Sequence, residues 1–175
     1  MMSFTCGGFC SFNHQTVPYI TSAGTTQLDY VTCTGPVKTA GDLQLEHSTI
    51  GELAHAGHLR IDGSMIQKSV CHAGKIEVNN SKIQNTLKTS SEDIKVHDSQ
   101  IKTILVRPQQ NSSLKIFGFT LFSSSVSPKT QTVELTGRNC RIGSIIFEKG
   151  CNGQVVQKDG AEVKTILHNS DSCIE

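Results

Sequence analysis

The sequence predicts an all-β fold, a right-handed parallel β-helix (β-solenoid) of about seven short coils with terminal caps. Three observations predict it. First, one pattern is written four times between Gly41 and Leu105: Leu43-Gln-Leu45-Glu-His-Ser48-Thr-Ile50, Leu59-Arg-Ile61-Asp-Gly-Ser64-Met-Ile66, Ile76-Glu-Val78-Asn-Asn-Ser81-Lys-Ile83 and Ile94-Lys-Val96-His-Asp-Ser99-Gln-Ile101. Second, the first apolar residue recurs at 43, 59, 76 and 94, a period of 16 to 18 residues, which belongs to stacked supersecondary units. Third, apolar and polar residues alternate within each unit, which is strand periodicity. Strands this short cannot stand alone. Each must pair with its copy in the next unit, about 4.8 Å away, and stacking identical units gives parallel ladders.

Taken in order, residues 1–27 lack the repeat and read as an N-terminal arm or cap over the open apolar end of the first coil. Residues 28–40 form an imperfect first coil with Leu28, Val31, Cys33 and Val37 inward. Coils follow at 41–56, 57–73, 74–91 and 92–112. Their inward columns are Leu43, Leu59, Ile76 and Ile94, then Leu45, Ile61, Val78 and Val96, then Ile50, Ile66, Ile83 and Ile101. A fourth apolar set runs through Leu53, Val70, Leu87 and Ile104 or Leu105. The pairs Glu46-His47, Asp62-Gly63, Asn79-Asn80 and His97-Asp98 mark the corners, where Asn, Asp and Gly tolerate a left-handed backbone. Ser48, Ser64, Ser81 and Ser99 then form a small column whose hydroxyls can bond the corner backbone, a structural role and not a catalytic one.

The solenoid is expected to continue to residue 167. The polar stretch Arg107–Ser112 reads as a protruding loop, residues 113–131 as a further coil with Phe119 in the Ser column, and 133–150 as a coil in which Cys140 replaces the corner Ser. Residues 168–175 read as a polar C-terminal tail. In the 113–131 coil Phe117 falls at the corner and Phe122 on the outside, so the two form a candidate interaction patch.

Outward between the first two columns lie Gln44, Arg60, Glu77 and Lys95. Arg60, Glu77 and Lys95 alternate in sign, so neighbouring strands are expected to pair them, each pair adding a few tenths of a kcal/mol up to about 1. The same outward charged face is the best set for a carbohydrate-binding or carbohydrate-cleaving β-helix, although it lacks the paired acids of glycoside chemistry. His55, His58 and Cys71 lie one coil apart. A solvated turn is the preferred reading of them and a metal site the competing one. No nucleotide-loop, hydrolase or zincin motif occurs. The expectation is therefore a non-enzymatic scaffold, with no catalytic residue, no metal and no cofactor.

Net charge is +1, which gives no electrostatic case for nucleic acid. No stretch approaches the roughly 18 apolar residues of a membrane helix, so membrane contact would have to run through the N-terminal arm and its Phe4, Phe9 and Phe12. The seven scattered cysteines and the lack of an export signal are read as reduced thiols in the cytoplasm.

The units Gly-x-Leu-x-Ile-x-x-Ser-x-Ile, at 16 to 18 residues per turn, resemble the short-coil right-handed β-helices typified by bactofilins, over residues 28–167. The resemblance implies a non-nucleotide scaffold that joins end to end, with a protein partner or another copy of itself as its partner. The arm from Met1 to Phe12 would correspond to the membrane-attaching tail of some members.

Overall fold

The computed structural model describes residues 4–108, 114–116, 119–122 and 129–170. They form an all-β parallel solenoid of about eight turns. Each turn has three faces. On the first, Leu43 and Leu45 lie over Leu59 and Ile61, these over Ile76 and Val78, and so on through Ile94 and Val96 to Val133 and Leu135. The second stacks Cys33, Ile50, Ile66, Ile83, Ile101 and Ile142. The third stacks Val37, Leu53, Val70, Leu87, Ile104 and Ile145, so Ile104 and not Leu105 takes the fourth column. None of these side chains is more than 2% exposed. Burying each Leu or Ile contributes about 1.5–3 kcal/mol before chain ordering is offset against it.

The period varies for a local reason. Passing from the first face to the second takes seven residues in four successive coils, Leu43 to Ile50, Leu59 to Ile66, Ile76 to Ile83 and Ile94 to Ile101, and nine in the next, Val133 to Ile142. Passing from the second to the third takes three from Ile50 to Leu53 and four from Ile66 to Val70, and the ladder register shifts to absorb the difference, as between Ile101 and Thr103. The seven-residue corner recurs because its backbone is specified. His47, Gly63, Asn80 and Asp98 all have φ between 44° and 56°, the left-handed turn expected of those pairs.

The serine that follows completes the corner. Ser64 Oγ accepts from the Ser48 N–H at 3.0 Å, Ser81 Oγ from the Ser64 N–H at 3.0 Å, and Ser99 Oγ from the Ser81 N–H at 3.0 Å. Each hydroxyl also donates to the carbonyl two residues back, as Ser64 does to Asp62 at 2.8 Å. Cys140 takes the next place in this column, fully buried, with its thiol 3.9 Å from the Val96 carbonyl.

A second column was not read from the sequence. Gly24, Gly41, Gly57 and Gly74 stack at the corner between the third and first faces, all with φ of 104° to 123°. A Cβ on Gly57 would sit 2.0 Å from the Gly41 carbonyl oxygen. Backbone stacks on backbone there, and no side chain fits.

Two sequence expectations are corrected. The solenoid begins ahead of residue 28: Phe4–Asn13 pairs in parallel with Ile20–Asp29 over ten residues, and Ile20–Asp29 pairs with Thr32–Glu46. The cap is thus itself a coil. Phe4 and Phe12 meet edge to face at 5.5 Å, Phe12 being 9% exposed, while Phe9 points outward at 66%. Cys6 and Cys10 are disulfide-bonded, not reduced thiols, because the turn at Gly8 (φ 85°) brings both side chains to one side. The second correction concerns the expected coil at 113–131. The ladder passes directly from Ile94 to Val133, from Ile101 to Ile142 and from Ile104 to Ile145. Residues 114–116 and 119–122 instead pair antiparallel with each other, away from the ladder. The intervening chain is an insertion in one turn.

Candidate functional site

Register places Arg60 beside Glu77 and Glu77 beside Lys95 on the first face. The ion pairs, however, run along strands. Arg60 Nη2 lies 4.0 Å from Asp62, Lys75 Nζ 3.0 Å from Glu77, and Lys95 Nζ 3.8 Å from Asp93. Residues two apart on a strand share a face, so each charge has a nearer answer in its own coil than in the next. The Lys75 hydrogen bond holds the Glu77 carboxyl below the usual carboxylate range, with the more distant Lys95 adding to it. The expected cross-strand charge ladder is therefore corrected to a within-strand one. Arg60, Glu77 and Lys95 form a neutralised surface and no converging acid pair.

Beside this lane, Asp29, Glu46 and Asp62 stack on successive coils. The rings of His14, Tyr30 and His47 stack at the adjoining corner, 4.8 Å apart. Ligand atoms of Asp29, Glu46 and His47 come within 4.8 Å of one another, the only such group among the described residues. It offers three ligands from one exposed side, against the six to eight oxygens a calcium ion takes.

The histidine set behaves differently from either sequence reading. His55 and His72 are not solvated; they are 5% and 6% exposed. Alternation explains it. Thr49–Asp62 runs as one strand through the corner, so His55 points inward as Leu53 does, and His72 follows Val70 in the same way. Their rings stack at 5.2 Å, and each Nε2 bonds a backbone carbonyl, His58 at 3.1 Å and Lys75 at 3.0 Å. Thr39 Oγ1 meets His55 Nδ1 at 2.6 Å, whereas His72 Nδ1 is buried with no partner. Burial pushes His72 down to about 4, with His55 beside it adding to the shift, and burial lowers His55 too. Cys71 lies next to His72 on the strand and faces outward, exposed. His55, His58 and Cys71 do not converge on a common point, and both buried imidazoles already use Nε2.

His72 forms part of the floor of an open cleft of about 900 Å³ at the glycine corner, which also takes in Lys88, Arg107 and Glu148. Its walls are tied together. Arg107 Nε donates to Glu148 at 3.3 Å, Lys129 Nζ lies 2.8 Å from Glu92, and Gln131 Nε2 donates to the Ser91 and Arg107 carbonyls at 3.3 and 2.8 Å. These bonds join residues on both sides of the insertion. Sequence reasoning missed the cleft because it draws on four coils, the last of them reached only across the insertion; the buried position of His72, by contrast, was available from its alternation with Val70.

Burial also raises the Cys33, Cys140 and Cys151 thiols above their ordinary value, which marks them as packing groups and not nucleophiles. Phe117 and the Phe122 side chain, the expected interaction patch, lie outside the described residues. In comparison with known proteins the chain matches no family model, no curated protein and no solved structure.

Proposed function

We propose that this chain is a non-enzymatic β-solenoid scaffold that works by docking, to a partner protein or to further copies of itself. The carrying observation is the last coil. Asn152–Lys158 and Glu162–Ser170 end the ladder, each hydrogen-bonded on one side only among the described residues. Ile166 there is 41% exposed and Leu167 45%, while Ile145 one coil earlier is fully buried. An apolar column that stops at an unpaired strand edge is a template for another strand. The likeness of the repeat to bactofilins, which join end to end, supports the same reading. The two ends differ, since the first coil is filled by Phe4, Phe12 and the Cys6–Cys10 disulfide, so a self-contact would be heterologous.

Light scattering on the full chain over a range of concentrations tests self-docking. Mass should rise with concentration, and I166D should abolish the rise; the paired change F117S/F122S tests the other patch. A wild-type chain that stays strictly monomeric and captures no partner would sink this reading.

A further inference from the structure

The second face carries a cluster of cations that form no ion pair within 4.0 Å among the described residues. Lys82, Lys102, Arg141 and Lys164 project from four successive coils around one shallow groove of about 600 Å³. All four are exposed. Of the other cations, Arg60, Lys75, Lys95, Arg107, Lys129 and Lys158 each lie within 4.0 Å of a carboxylate, while Lys38, Lys68, Lys88, Arg138 and Lys149 show no such pair among the described residues but do not gather at this groove. On the second face the one acidic side chain at the groove is Glu162, opposite Arg141 at the C-terminal rim. By register Lys82 and Arg141 flank Gln100 in one column, and Lys102 and Lys164 flank Gly143 in the next, so the cations recur at about two strand spacings, roughly 9.6 Å, and a bound polyanion would meet them in turn. The floor of the groove is bare. Gly143 lies between Lys102 and Lys164, and a Cβ there would sit 2.4 Å from the Lys102 carbonyl oxygen. An extended chain can therefore settle onto backbone between the cationic heads, with Gln84 and Gln100 beside it as hydroxyl partners.

We propose that this face binds a linear acidic polysaccharide lying along the solenoid axis, its carboxylates or sulfates on successive sugars meeting cations on successive coils. The proposal rests on the docking-scaffold reading above and names its partner. The geometry favours a glycan over the other polyanions. The cations alternate between two adjacent columns, a narrow strip along the axis and not the broad plane a membrane surface would need. The groove has no aromatic side chain to stack a base, which single-stranded nucleic acids use for about 1–3 kcal/mol per base. Its polar neighbours are amides suited to hydroxyl groups.

The test titrates the full chain with polygalacturonate and heparin oligosaccharides. Neutral dextran, single-stranded DNA of equal charge and phosphatidylserine vesicles run alongside. Both acidic glycans should bind saturably at about 50 mM salt and weaken by tenfold or more at about 200 mM, as counterion release requires. K102Q/K164Q should lose about tenfold and flatten the salt dependence by about two contacts. R60Q/K95Q, on the first face, should bind as the wild type does. Absence of saturable glycan binding, equal binding by K102Q/K164Q, or tighter binding to DNA or vesicles overturns the proposal. If the same samples still self-associate, only the glycan partner is lost. If the glycan binds and new reducing ends appear, the docking stands and the non-enzymatic reading falls.

Discussion

Ser81 shows how little is needed to hold a corner. Its hydroxyl accepts the Ser64 N–H from the preceding coil and donates to the Asn79 carbonyl in its own. S81A leaves a buried N–H unanswered and should cost about 1–3 kcal/mol, read from urea unfolding, while S81C should recover part of it, since Cys140 serves the same column. This much was legible in advance, because a small hydroxyl at one position per period has few other uses. His72 was not, because a polar residue near a glycine reads as a turn until the strand's alternation is followed through the corner. Its burial has a pH signature. Burial holds the folded imidazole near 4 against 6.5 for an ordinary exposed His, so between those values the unfolded chain binds more protons and stability falls as pH drops. The full loss is about 3 kcal/mol as an upper bound, and His55, lowered in the same direction, adds to it. The urea midpoint should fall between pH 7 and pH 4.5, and H72F should show a shallower decline. An unchanged pH profile in H72F would mean that His72 is not buried neutral.

At the scale of the coil, the two corners obey different rules. The glycine corner stacks backbone on backbone, so G57A should destabilise by about 3 kcal/mol or more, because its Cβ meets the Gly41 oxygen at 2.0 Å with φ at 123°. Gly63 has the same chemistry and a different fate. Its column neighbours His47 and Asn80 already hold φ near 48° with side chains, so G63N should change the thermal midpoint little while G57A lowers it by many degrees. Comparable losses for the two variants would refute the distinction. The Leu, Ile and Val columns were readable because each recurs in four coils with an aliphatic residue. The first coil was not readable and the second only from Leu28 onward, since Cys10 and Thr26 stand where later coils have Leu or Ile. The stretch 114–122 misled in the opposite sense: Leu-x-Ile followed by Phe-x-Leu satisfies the strand pattern, yet the pairing it supports is local and antiparallel. Periodicity reports that a segment is extended; it does not say which strand lies beside it.

For the molecule as a whole, the ladder is one-dimensional, each turn touching only the turns before and after it. The insertion after Pro108 hangs from that ladder without interrupting it, and Gln131 reaches the Arg107 carbonyl at 2.8 Å across its base. Replacing residues 109–128 by a short Gly-Ser linker should therefore leave the far-UV circular dichroism unchanged and the unfolding transition cooperative. Loss of the strand signal would show that the insertion nucleates the turns that follow it. The seven-residue corner shared by the four coils from Leu43 to Ile101 carries a last implication. Excising residues 59–75 would bring His58 directly before Ile76, whose side chain then inherits the seat of Leu59 over Leu43, with Val78 over Leu45 and Ile83 over Ile50. Such a protein would be shorter by a single storey and otherwise unaltered in plan, which makes the height of this tower an evolvable quantity separate from its cross-section.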